Sequence, residues 1–157
     1  MQIIIDQIID KLKENFGTEI KQFYQGDPIA VPASNLPCIY VEADGSDVSA
    51  GATGTDEILH SIAIGVIIDK RSEINRNADE QVSHRKLIEI TQNRNASGTY
   101  KDNTIFGILR KYFTLSNTIN NQLLRVEYGI RERGDLITAE ARITARISEL
   151  VVVSTRT

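Results

Sequence analysis

Hydrophobic and polar positions follow two different periods along this chain, and the change from one to the other marks out its elements. From Met1 to Phe16 the apolar residues stand at Ile4, Ile5, Ile8, Ile9, Leu12 and Phe16, the i, i+3, i+4, i+7 spacing of one stripe on a helix. Gly17 follows as a helix stop, and Lys11 and Lys13 lie near the negative end of the helix dipole. Residues 18–24 are β-prone and predict a short strand. Pro28, Pro32 and Pro37 come next. Each fixes its φ and withholds an N–H, so residues 28–37 read as an extended, irregular connector.

Residues 38–43 (CIYVEA) read as a strand, and residues 57–69 (EILHSIAIGVIID) place Ile58, His60, Ile62, Ile64, Val66 and Ile68 on one face. Between them, residues 44–56 are almost entirely Gly, Ser, Ala, Thr and Asp. That composition predicts a long loop, and the two strands become a hairpin joined through a flexible segment at 44–57. Asn77 with Glu80 forms a capping box for a helix running to about Asn93, with a thin stripe of Val82, Leu87, Ile88 and Ile90. After a break at Asn95-Ala-Ser-Gly98, a shorter helix is expected over 103–113. Asp102 is its cap, and Ile105, Ile108, Leu109 and Tyr112 face inward.

The last third carries the clearest pattern. Leu124, Val126, Tyr128 and Ile130 alternate with polar residues, Arg133-Gly134-Asp135 supplies a turn, and Ile137, Ala139, Ala141, Ile143, Ala145 and Ile147 alternate on the return. A slip of one residue would move that whole face into water, so the register is well determined. At about 3.3 Å per residue the returning strand is roughly 40 Å long, beyond the usual strand. Its alanines leave room for a helix to lie close. Helices cluster rather than alternate with strands. The expected class is therefore α+β: one domain over residues 1–157, a mostly antiparallel sheet with a long C-terminal hairpin, an N-terminal helix and one or two central helices.

Composition excludes several functions. The chain has 157 residues and 41% hydrophobic content, enough for a real core. Its longest apolar run, residues 62–68, is too short to span a bilayer, and the N-terminus lacks the basic start of a signal peptide. A single cysteine, Cys38, excludes an internal disulfide and a multi-cysteine zinc site. Net charge is −3, but unevenly placed: residues 1–80 hold 14 acids and 6 bases (−8), and residues 81–157 hold 7 acids and 12 bases (+5). Either the fold mixes the halves, or opposite surfaces differ in sign and favour head-to-tail association.

Each catalytic candidate has a simpler explanation. His60 falls on an apolar strand face, His84 lies one helical turn after Glu80, and Cys38 reads as a small buried hydrophobe. Asp44, Asp47, Asp56 and Glu57 have no base between them. Their spacing fails the EF-hand pattern and fits a solvated acidic loop. Gly51-Ala-Thr-Gly54 lacks the Gly-Lys-Ser/Thr end of a phosphate loop, and Asn95-Ala-Ser97 is a sequon without a secretory signal. Glu42 and Asp69 are the carboxylates that a metal-dependent nuclease would recruit, without any motif to join them. Arg125, Arg131, Arg133, Arg142 and Arg146 fall on the outward faces of the terminal hairpin, with no interleaved aromatics for stacking single-stranded bases. No cofactor or metal site is expected. Phosphate contact and an ionic subunit interface both stay open for these arginines.

The order of elements resembles the tail terminator (tail completion, or neck) proteins of long-tailed bacteriophages. The likeness is carried by the N-terminal amphipathic helix, the proline-led strand Leu36-Pro-Cys-Ile-Tyr-Val-Glu42, and the small-residue segment 44–56. The strand ending Ile-Ile-Asp-Lys-Arg71, the helix from about Asn77 and the closing hairpin complete it. Residues 94–122 fit the pattern least well. The resemblance implies a non-enzymatic virion protein that forms a homohexameric ring, caps the finished tail tube and ends its polymerisation. Such a ring offers the joining surface to a head-completion or neck protein, and DNA passes through its lumen without sequence-specific binding. The same likeness leaves a head-completion adaptor or a tail tube subunit as the alternative. It also makes the acids Asp44, Asp47, Asp56 and Glu57 and the five hairpin arginines assembly-interface residues, with no membrane partner.

Overall fold

The structure, a computed structural model, describes residues 1–71, 82–112 and 118–153, with side chains for all of these except 118–123. Helix α1 spans Gln2–Phe16, α2 Val82–Gln92 and α3 Ile105–Tyr112. Five strands, β1 (Gln22–Gln25), β2 (Cys38–Ala50), β3 (Thr55–Asp69), β4 (Thr118–Arg133) and β5 (Leu136–Val152), form one sheet in the order β1-β2-β3-β5-β4. All neighbours are antiparallel except β1, which runs parallel to β2. The molecule is an α+β domain, as the clustering of helices and the long closing hairpin predict. Among the described residues no helix is long and apolar enough to cross a membrane.

The expected stripe of α1 is the buried one: Ile4, Ile5, Ile8, Ile9, Leu12 and Phe16 all enter the main core. Gly17 ends the helix at φ +58°, its N–H donating to the Lys13 carbonyl, a conformation that glycine adopts without strain. All three helices cover one face of the sheet, formed by Ile39 and Val41 of β2, Ile62, Ile64 and Val66 of β3, and Ala139 to Ile147 of β5. Fully burying each such Ile or Leu contributes roughly 1.5–3 kcal/mol. The opposite face is covered at one end by the proline-rich connector. There Val31 and Leu36 pack on Cys38, Tyr40, Ile67 and Leu136. Burial pushes the Cys38 thiol up to about 12, so it is unreactive at neutral pH.

Several local expectations change. Residues 44–56 are not one long loop: β2 continues to Ala50, β3 begins at Thr55, and only Gly51–Gly54 turn. Cross-strand pairing holds this segment extended despite weak β propensity, because β3 is itself held by β5 over its whole length. The expected first strand opens with a 3-10 turn at Gly17–Glu19 and shortens to β1. In α2, Val82 and Ile88 of the expected stripe are exposed, whereas Ser83 and Thr91 are buried. The Thr91 hydroxyl satisfies itself by donating to the Leu87 carbonyl at 2.8 Å. The capping pair Asn77 and Glu80 lies outside the described residues. Thr104, not Asp102, caps α3: its Oγ1 accepts the Gly107 N–H at 3.0 Å. Phe106 joins the inward face of α3, and Ile130 leaves that of β4, being exposed.

Candidate assembly surface

Towards its free end the sheet runs on as an arm of four strands, β4 flanking β5 as far as Thr118 and Glu149, and only residues 49–50, 55–57 and 150–152 continue as three. Residues 43–50 of β2 are all exposed, and the pairs Ala50–Asp56 and Thr55–Val152 close its tip. At about 3.3 Å per residue β2 runs on roughly 25 Å past Glu42, and Ile62, His60 and Ile147 stay buried on the helix face along the first half of that length. Four sequence-chosen acids gather on it. Asp47, opposite Leu59, and Glu57, opposite Ser49, lie on the connector face; Asp56, opposite Ala50 and Val151, lies on the helix face. Asp44 sits at the foot. Asp47, Asp56 and Glu57 have no ion pair among the described residues, and three apolar residues beside them, Val48, Leu150 and Val152, are exposed. Val48 lies on the helix face, and Leu150 and Val152 lie on the connector face.

The five arginines do not act as one patch. Arg142 is drawn inward: it pairs with Glu42 at 2.9 Å and Asp44 at 3.6 Å, and Nη1 donates to the Tyr40 hydroxyl at 3.0 Å. It can cross β3 to reach them because Gly65 and Ala63 stand between. Arg125 pairs along its own strand with Glu127, Arg131 pairs with Asp27, and Arg146 is exposed with no ion pair among the described residues.

Arg133 was expected on an outward face, and the structure corrects that. It is 1% exposed, the largest fully buried side chain, held by Glu140 at 2.6 and 2.7 Å and Asp27 at 2.6 Å, with the Pro28 carbonyl as a further acceptor. Thr138 donates to the same Glu140 carboxylate at 2.6 Å. Burial alone would lower the Arg133 pKa, but its two carboxylate partners raise it overall. Burial likewise pushes Asp27 up, and the hydrogen bonds and charges of Arg133 and Arg131 outweigh it, leaving Asp27 below the usual carboxylate range. This network pins the connector to the sheet, so Arg133 belongs to the fold and not to the free surface.

A second polar cluster lies at the root of the arm. His60 is buried on the helix face, with Nδ1 2.9 Å from the Ser46 hydroxyl and Nε2 2.9 Å from Glu149 Oε1. Serine, histidine and acid in series invite comparison with a hydrolase triad. The order on the ring is reversed, however: there Nε2 faces the nucleophile and Nδ1 the acid. What the trio does here is tie β2, β3 and β5 together through side chains. Nothing in the local sequence marks Ser46, Glu149, Asp27 or Glu140. Glu149 and Asp27 lie 89 and 104 to 106 residues from their partners, brought together by the β3–β5 pairing and the returning connector, whereas Ser46 and Glu140 meet theirs across the hairpins, 14 and 7 residues away.

Among the described residues no group of three or more His, Cys, Asp or Glu side chains is placed to hold a metal ion. Glu42 and Asp69 are not brought together. Glu42 opposes Ala63 within the β2–β3 pairing, and Asp69 stands six residues further along β3, about 20 Å away. Asp69 is occupied by Arg71 at 2.8 Å. No protein-family model matches this chain, and no curated protein sequence matches it.

Proposed function

We propose that this chain is a structural subunit of a bacteriophage tail that assembles into a ring, caps the tail tube, ends its polymerisation and presents a joining surface to the head or neck. The observation that carries the reading is the free end of the sheet: four strands narrow to three beyond Thr118 and Glu149, and the tip exposes apolar residues among acids without counter-charges. An isolated protein gains nothing from exposing Val48 on one face of the tip and Leu150 and Val152 on the other, whereas a neighbouring subunit or tube would cover them. The buried ionic network and the His60 trio support the same reading, because both spend polar side chains on holding strands and connector in place. On this reading the protein is not an enzyme. Its partners are further copies of itself, the tube protein and a head-side protein. DNA slides through a lumen that does not neutralise its phosphates, and the protein resides in the virion.

The test is negative-stain electron microscopy of the protein mixed with tail tubes, beside the protein alone at high concentration. Closed rings, or a distinct cap at one tube end, are expected. Long tubes from the protein alone would make it a tube subunit instead, and particles that neither assemble nor bind tubes would overturn the proposal.

A further inference from the structure

The sheet ends in two edges of different character. On one side β1 covers β2 only as far as Val41. From residue 42 to residue 50 the outer backbone of β2 has no neighbouring strand among the described residues. On the other side β4 is the last strand. A strand edge left open over that length is a template for pairing, and proteins that need to avoid pairing place Lys or Pro along it. Residues 42–50 contain neither; their protection is the like charge of Glu42, Asp44 and Asp47, which a strand carrying cations would neutralise. Beyond the bulge between Ala43 and Gly45, residues 45–50 keep regular register with β3.

We infer that copies of this chain join edge to edge, the open outer edge of β2 over residues 42–50 in one pairing antiparallel with the outer edge of β4 over residues 118–125 in the next. The inference rests on the ring reading and specifies how the ring closes. Strand direction supports it first. β2 and β5 run one way, β3 and β4 the other. Copies rotated about an axis along the strands keep those directions, so β4 of one meets β2 of the next antiparallel and the alternation of the sheet continues unbroken.

Charge supports it independently. Following the pairings across the sheet, Gly45 stands level with Ser61 and Arg146, and Glu42 with Ala63, Thr144 and Arg125. On the connector face, Arg125 and Arg146 therefore lie towards the β4 edge at the height where Glu42, Asp44 and Asp47 lie towards the β2 edge. Arg142 shows within one chain that a guanidinium reaches those acids, since it spans from β5 to Glu42 and Asp44. Pairing β2 with β2 would set acids on acids, and pairing β4 with β4 would set arginines on arginines. Glu42, Asp44 and Arg125 already have ion pairs within the chain, so the head-to-tail arrangement chiefly brings Asp47 towards Arg146, and a head-to-tail interface closes into a ring when its rotation permits.

The decisive variants are Asp47→Arg and Arg146→Asp, both at exposed positions where unfolding midpoints should stay unchanged. Ring formation is followed by sedimentation velocity and electron microscopy, with and without tail tubes. Each single variant is expected to raise the concentration for half-assembly by about tenfold or more. An equal mixture of the two, and the double variant, should assemble again, because every interface then pairs an arginine with an aspartate. Backbone amides over residues 42–50 should exchange more slowly in wild-type rings than in the free chain. Rings that form normally from both single variants, with no slowing at 42–50, would overturn edge pairing and leave the ring reading standing. Wild-type protein that forms no ring, alone or on tubes, would remove the ring reading and this inference with it.

Discussion

Tyr40 and Gly65 face each other across β2 and β3, and the phenol ring lies directly over the glycine: a Cβ built on Gly65 would come within 1.9 Å of the Tyr40 ring. Gly65 is therefore required by its neighbour and not by its own backbone. The ring placed there closes the smaller core and offers its hydroxyl to Arg142.

Gly65→Ala should destabilise the protein by about 1–3 kcal/mol, the usual penalty for overpacking a close-packed site. In a Tyr40→Ala background the same change should cost much less. A double-mutant cycle on denaturant unfolding measures the coupling, and equal penalties in both backgrounds would show that the ring does not set the requirement.

Arg133 holds two carboxylates and a carbonyl from a fully buried position. Removing it leaves the buried Glu140 without a counter-charge and Asp27 with Arg131 alone, so Arg133→Ala should cost about 3–5 kcal/mol in denaturant unfolding. Arg133→Lys should recover little, because an ammonium cannot reproduce the two-pronged contact with Glu140. A lysine variant as stable as the wild type would show that charge alone suffices.

Asp27 supplies a pH dependence with a definite sign. Its folded pKa lies below the ordinary value near 3.8. The stability it contributes is fully present above that value and is lost as pH falls from there through the folded pKa. Thermal unfolding between pH 6 and pH 2 should steepen below about pH 4. Asp27→Asn should be less stable at neutral pH and flatter in the acid range, and an unchanged acid slope would assign that slope to other carboxylates.

The trio of Ser46, His60 and Glu149 is expected to behave as a tie and not as catalytic machinery. His60→Ala should destabilise the protein by about 2–4 kcal/mol, since it opens a cavity and strips two hydrogen bonds from the root of the arm. A serine-directed fluorophosphonate should leave Ser46 unlabelled. Labelling at Ser46 that His60→Ala abolishes would make the trio a hydrolytic site.

The sequence alone determined the period of each element, because burial of one face imposes its own repeat. The α1 stripe, the alternation of β5 and the turn at Gly134-Asp135 were readable for that reason: each depends on neighbours a few residues away. The α+β class followed from the order of those elements. Tertiary structure decided what each outward face would meet. Arg133, Thr138, Glu140 and Ser148 sit at polar positions of an alternating pattern, yet all are buried, because the connector and neighbouring strands return over them. It also decided that residues 44–50 and 55–57 extend as strands, since a segment of Gly, Ser, Ala and Asp is held in a sheet by its neighbours and not by itself. The two open edges, and the acids and arginines set at matching heights beside them, depend on the placing of β5 between β3 and β4. Strand order is a long-range property, and no local period encodes it.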